Sequence, residues 1–215
     1  MRGPRPAGPG RVLALLTWAL LLLGLWSWAR ELTGGGAPAA PAGGSVSAAE
    51  GEAAPRAPLP GRPPPREVAV PSLDLRAEVV ERGLDADGGV SPPSFATPQL
   101  VGWYADGPTP GQEGVAILVG HVDTAEEPAV FHRLREVRPG SEVRVRRQDG
   151  SVARFTVTEV AEVPRAEFDA ERVYGPRLAG AAELRLITCG GRYDAAAGGY
   201  SANVVVFAHL TGSAR

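Results

Sequence analysis

The 215-residue sequence holds one cysteine and three histidines, and their settings determine which chemistry is open to it. Cys189 closes the β-branched run Leu184-Arg185-Leu186-Ile187-Thr188 and is followed by Gly190-Gly191. A strand ending there would fix the thiol and leave bare backbone beside it, so that a peptide carbonyl can approach closely. Two readings stay open: a thiolate nucleophile, or a buried thiol used as a small hydrophobe. His121 follows a second apolar run, Val115 to Val119, in Gly120-His121-Val122-Asp123, again a strand terminus beside a glycine. An imidazole there can hold a thiolate as an ion pair or pass a proton to a leaving amine; a plain hydrogen-bonding residue is the alternative. His132, in the turn Phe131-His132-Arg133-Leu134, and His209, within the last expected strand, read as structural. Asp123 either orients the imidazole or a loop, or caps the turn that follows it.

The elements that must position these groups lie in residues 67–215. Short β-branched runs recur at Val68 to Val70, Ala77 to Val80, Val115 to Val119, Val143 to Val145, Phe155 to Val163, Leu184 to Ile187 and Val204 to Phe207. Turn signals such as Asp85-Ala86-Asp87-Gly88, Arg138-Pro139-Gly140 and Asp149-Gly150 separate them. Seven or eight strands of this length predict a barrel or sandwich. Short helical stretches are expected around Ala129 to Arg135 and Phe168 to Arg172.

Two segments precede that domain. After a basic N-terminus (1–11) bearing Arg2, Arg5 and Arg11, residues Val12 to Ala29 are almost wholly apolar. At ~1.5 Å per residue this stretch reaches about 27 Å, close to a bilayer core of roughly 30 Å. Trp26 and Trp28 lie near its outer end, where indole rings favour the lipid–water interface. The expectation is a transmembrane helix over 12–29 in a single-pass protein of the cell membrane, its N-terminus cytoplasmic and the remainder extracellular. A cleaved secretory signal is the alternative, with Ala37, Ala39 and Ala40 as the small residues. Residues 30–66 are dominated by Gly, Ala and Pro and hold no aromatic, so they are expected to form a disordered tether.

Composition excludes several other classes. All 22 basic residues are Arg, the net charge is -2, and neither a phosphate-binding loop lysine nor a basic groove for nucleic acid is present. One Cys cannot build a disulfide framework or a Cys-based zinc cage, and the three His are dispersed. No metal or organic cofactor is expected.

The residues resemble a family. Leu186-Ile187-Thr188-Cys189-Gly190-Gly191 is similar to the signature strand of sortases, the membrane-anchored cysteine transpeptidases of Gram-positive bacteria, and Thr-Cys-Gly-Gly is similar to their actinobacterial class F branch. Gly102-Trp103-Tyr104, Pro110-Gly111, Val119-Gly120-His121-Val122-Asp123 and Asn203-Val204-Val205-Val206 resemble that branch as well. The resemblance implies a closed eight-stranded sortase-type β-barrel with short helices, Cys189 as nucleophile and His121 as general acid and base. It also implies cleavage of an LPxTG-like sorting signal through a thioacyl intermediate, and transfer to an amine on a peptidoglycan precursor. A second cysteine family acting on cell wall, the L,D-transpeptidases, places a Ser-x-Gly-Cys-like segment soon after its His, which Ile187-Thr188-Cys189-Gly190 does not match.

One expected residue is missing. Sortases carry an Arg on or just before the strand that follows the Cys, yet Tyr193 to Leu210 contains none, with Gly or Ala where it belongs. Losing one oxyanion donor costs about 100- to 1,000-fold in rate. Arg192 can reach back across the Gly-Gly turn, Arg185 lies on the face of Cys189 but roughly 13 Å away along an ideal strand, and backbone N–H groups are a third source. The absence motivates an alternative reading, a sortase-fold peptide binder with weak or no turnover.

Overall fold

The computed structural model describes residues 53–195 and 198–215. The expected membrane span, and the expected tether as far as residue 52, lie outside the described residues. Among the described residues no helix is long and apolar enough to cross a membrane.

Eight strands close into a barrel: β1 (Pro65–Val70), β2 (Leu75–Arg82), β3 (Val101–Tyr104), β4 (Gly114–Val119), β5 (Glu142–Arg147), β6 (Val152–Pro164), β7 (Ala182–Asp194) and β8 (Gly199–Ala214). Their order around the barrel is β1-β2-β3-β4-β7-β8-β6-β5. The closed all-β barrel expected from the sequence is therefore present. Every neighbouring pair is antiparallel except β2 with β3 and β4 with β7. Six of the eight strands contain or overlap the apolar runs read from the sequence one for one, and β4 coincides with its run apart from Gly114; β3 alone was not among those runs, because Val101-Gly102-Trp103-Tyr104 is too short and too mixed to stand out.

Alternation along the strands sends side chains to two separate apolar regions. Inside the barrel, Leu118, Phe155, Leu184, Leu186 and Val206 join Phe131 and Leu134 from the β4–β5 connection. Each fully buried Leu or Phe contributes about 1.5–3 kcal/mol relative to exposure. On the outer face, Val115, Ile117 and Val119 of β4 meet Ile187 of β7 and Val205 and Phe207 of β8. Val173 of the short helix α1 (Ala170–Tyr174) covers this second cluster. Asp169 caps α1, its carboxylate accepting from the N–H groups of Glu171 and Arg172. The helix falls within two residues of where the sequence placed one; the stretch expected near Ala129 to Arg135 is instead a run of turns ending in a 3₁₀ turn at Leu134–Glu136.

Residues 53–64 carry no regular structure but are tied to the barrel. Arg56 N–H donates to Leu210 O, Leu59 N–H to Gly111 O, and Gln148 N–H to Pro64 O. Arg147, 2% exposed, donates to Pro60 O, and His209 bonds Ala53 O through Nε2 at 2.7 Å. A tether running to residue 66 is thus corrected: its last residues belong to the folded domain, and the boundary at 66/67 falls inside β1. Composition misled because the bonds made here use backbone groups, which Pro-rich segments still offer.

Arg185 is the largest fully buried side chain. Its guanidinium donates to Val173 O at 3.1 Å, Gly175 O at 3.0 Å and Glu183 Oε2 at 2.9 Å, and lies over the Phe207 ring. It fastens the end of α1 to the sheet. Removing one partner of a buried ion pair typically costs about 3–5 kcal/mol. Urea unfolding of Arg185→Ala is therefore expected to show a loss of that order, and Glu183→Gln/Arg185→Met is expected to lose less than Arg185→Ala does.

Candidate active site

The parallel pairing of β4 with β7 aligns the two chemical groups. Val119 pairs with Ile187, and Gly120 N–H continues the ladder to Ile187 O at 3.1 Å. Two residues further along each strand stand His121 and Cys189. The expectation that each stands at the end of a strand is met for His121, just past β4; Cys189 instead lies inside β7, which runs on to Asp194. Both side chains line one cleft of about 850 Å3, together with Phe95, Asp123, Glu126, Arg165, Tyr193, Gly199 and Tyr200.

The glycines around the pair are required by packing. A Cβ on Gly120 would lie 2.7 Å from both Phe131 and Val130, and one on Gly190 would lie 2.6 Å from Val204 of β8. Gly191 has φ +75°, and a Cβ there would lie 2.5 Å from Ser201 Oγ. The register shift between Gly190 and Tyr193 explains this crowding: the bulge bends β7 across β8 just past the thiol. Gly190 and Gly191 thus serve contact with β8, where the sequence reading had them admit a peptide.

His121 is 7% exposed, and its Nε2 stands 2.7 Å from Pro93 O. A carbonyl only accepts, so Nε2 carries the proton and Nδ1 remains the nitrogen that can take or give one. Phe95, from the same β2–β3 connection, stacks on the imidazole with centroids 4.1 Å apart and 23° between planes. The connection therefore fixes both the tautomer and the plane of His121. Cys189 is partly buried and makes no hydrogen bond to the imidazole among the described residues. Burial pushes its thiol up, the Arg165 guanidinium opposes that, and the Asp123 carboxylate adds to it.

Asp123 accepts a short hydrogen bond from the Tyr200 hydroxyl, which ties the loop after His121 to the start of β8. Tyr193 packs edge-on against Tyr200 at 5.3 Å. Among the readings of Asp123 from the sequence, the one in which it orients a loop fits this tie, without having named Tyr200 as the partner. Of the two Arg considered from the sequence, Arg185 is buried away from the cleft, and Arg192 is exposed, its N–H donating to Ser201 Oγ, and does not line it. Phe95, Arg165 and Tyr200 were not found from the sequence. The only signal for Phe95 was an aromatic in the polar, Pro-rich stretch Ser91-Pro92-Pro93-Ser94; Arg165 stood in a segment with no readable pattern.

A thiol and an imidazole facing one cleft from neighbouring strands can carry acyl transfer, the thiol attacking and the imidazole moving the proton. The comparisons agree with such a class. The family model described as Sortase domain matches residues 68–211. The chain belongs to the sortase family. Among solved structures it is similar to sortase A from Corynebacterium diphtheriae, with 18% identity and a TM-score of 0.52 over 71% of this chain and 62% of that one. It is similar also to Listeria monocytogenes sortase A (20%, TM-score 0.50, 68% of this chain and 86% of that one) and to sortase C-1 from Actinomyces oris (17%, TM-score 0.52, 68% and 73%). The chain thus spans less than two thirds of the length of the Corynebacterium protein. A comparison with curated protein sequences returned no match.

The Tyr200 phenol is pushed up to about 12, first by its hydrogen bond to Asp123 and then by burial. A raised pKa favours the protonated phenol in the folded state. Its stabilising effect is therefore complete below the unfolded tyrosine value and is lost as pH rises through about 12. Phenolate absorbance, read as the difference between the wild type and Tyr200→Phe, is expected to place this group's ionisation near that pH. In the Asp123→Asn background it is expected to fall towards the ordinary tyrosine value.

Proposed function

We propose that this sortase is a cysteine transpeptidase in which Cys189 is the nucleophile and His121 the general acid and base. The observation that supports this most directly is the β4–β7 register, which brings a thiol and an imidazole with a free Nδ1 to one cleft. In the forward step the thiol proton passes to Nδ1 as sulfur bonds to the substrate carbonyl carbon and the carbonyl electron pair moves to oxygen. Collapse reforms the carbonyl, breaks the C–N bond and takes the proton from the imidazolium to the departing amine. An incoming amine then repeats the sequence in reverse on the thioester, losing its proton to His121 and releasing the thiol.

The substrate proposed is a secreted protein bearing an LPxTG-like sorting signal, and the acceptor an amine on a peptidoglycan precursor. Thr188-Cys189-Gly190-Gly191 supports placement in the class F branch. The apolar stretch over 12–29 supports a membrane anchor with the barrel outside the cell. The lack of an Arg from Tyr193 to Leu210, where the resemblance leads one to look for it, favours a second reading: a sortase-fold protein that binds peptides with little or no turnover.

Intact-mass analysis of the full chain in detergent micelles with LPxTG-type peptides separates the two. Turnover is expected to give an acyl adduct that Cys189→Ala abolishes, and His121→Ala is expected to slow its formation by about 100- to 10,000-fold. Peptide affinity with no adduct, unchanged in Cys189→Ala, is the outcome that supports binding alone.

A further inference from the structure

Acyl transfer at Cys189 needs a hydrogen-bond donor for the oxygen that becomes negative, and β8 offers no Arg for it. Pairing across three strands shows where one is available. Cys189 on β7 pairs with Asn203 on β8, and Asn203 pairs with Val163 on β6. Side chains at paired positions point to the same face, and Arg165 follows two residues after Val163, at the head of the 3₁₀ turn Arg165–Glu167 that takes over from β6. β6 lies two strand spacings from β7, ~10 Å away. A long side chain can cross that gap over β8, provided nothing on β8 stands in the way.

Gly199 leaves the way open. A Cβ placed on Gly199 would find one neighbour within 4 Å, Arg165 Nη1 at 3.6 Å. The guanidinium of Arg165 therefore reaches the edge of the space that a side chain at position 199 would enter, within the stretch Tyr193 to Leu210 where the resemblance leads one to look for Arg. Arg165 lines the same cleft as Cys189 and His121. It is exposed and holds no ion pair among the described residues, so its five N–H donors are uncommitted. By contrast Arg177 and Arg185 are committed to Glu159 and Glu183. Arg165 is also the cation whose field acts on the Cys189 thiol.

We propose that Arg165, entering from the turn at the end of β6 over Gly199, is the residue that donates to the substrate carbonyl at Cys189 and stabilises the oxyanion, so that the guanidinium absent from β8 is supplied by the segment that follows the neighbouring strand. The proposal rests on the transpeptidase reading above. It makes Arg165 a catalytic residue, and the Arg165–Gly199 pair an exchange of position: one guanidinium, carried by a different segment, into one cleft.

The exchange can be reversed. Gly199 has no positive φ and no backbone within 4 Å of its Cβ, so Gly199→Arg fits once the Arg165 side chain is cut back. Acyl-adduct formation by the full chain in detergent micelles, with an LPxTG-type peptide, is measured for wild type, Arg165→Ala, Arg165→Lys and the double variant Arg165→Ala/Gly199→Arg. Alkylation of Cys189 by iodoacetamide is followed in parallel, with the urea midpoint as the check on folding.

Arg165→Ala is expected to lose about 100- to 1,000-fold in acylation, while alkylation changes only a few-fold and the midpoint stays put. Arg165→Lys keeps the charge without the planar fork and is expected to recover little of the rate. The double variant is expected to regain at least about tenfold over Arg165→Ala, a fraction of the donor's full worth. Wild-type rates in Arg165→Ala overturn the assignment while leaving the transpeptidase reading intact. Equal losses in acylation and alkylation overturn it too, because they trace the effect to the thiol. So does a loss that Gly199→Arg leaves unrepaired. No adduct with the wild type removes the transpeptidase reading and the Arg165 role together.

Discussion

The parallel register between β4 and β7 is the constraint on which the rest of the site depends. Parallel strands cannot be joined by a tight hairpin, so the chain between them must travel. Here it makes β5, β6 and α1 on the way, and the two strands meet again with Val119 beside Ile187. A slip of one residue would turn Cys189 inward and point Thr188 outward. The register is held by what both strands bury on each side. Leu118, Leu184 and Leu186 fill the barrel, while Val115, Ile117, Val119 and Ile187 form the outer cluster. With both faces apolar, any shift would change the fill of two cores at once.

The outer cluster explains why the cleft needs the β6–β7 connection. Left bare, Ile117, Ile187, Val205 and Phe207 would form an exposed apolar patch beside the thiol. α1 closes it through Val173, and the buried Arg185 holds α1 by accepting no compromise in partners: Val173 O, Gly175 O and the Glu183 carboxylate each receive an N–H. That same connection starts at Arg165, whose 3₁₀ turn follows Pro164 at the end of β6. Burial of the patch and delivery of a cation to the cleft are thus consequences of one segment's path.

The parts legible in the sequence were those written as local pattern. Short β-branched runs marked the strands, and a Cys and a His each following such a run, beside glycine, marked the site. Those signals work because strand alternation and turn chemistry act over a few residues. β3 escaped because four residues carry too little pattern, and residues 53–64 escaped because they bind through backbone groups that composition does not describe. Arg165 and Tyr200 escaped for another reason. Their relation to Cys189 and Asp123 passes through pairings among β6, β7 and β8, which exist only after the barrel closes. Reading along the chain found the gap on β8; only the pairing across strands shows which residue stands at it.

The electrostatics of the cleft favour a thiol at rest. Burial disfavours the charged sulfur, the Asp123 carboxylate adds to that, and Arg165 alone works against both. Asp123 is held in place by the hydrogen bond it accepts from the Tyr200 hydroxyl. A protonated thiol is a poor nucleophile and a poor target for oxidants. For a chain whose only cysteine is proposed to work outside the cell, that is an advantage, since no second thiol is present to resolve a sulfenic acid within the molecule. In the proposed reaction, reactivity has to arise with the substrate, whose carbonyl takes over the negative charge as the S–H proton moves to His121 Nδ1. The charge that the resting site resists on sulfur is accepted on oxygen, and a guanidinium set over Gly199 from β6 is aimed at that difference rather than at the thiolate itself.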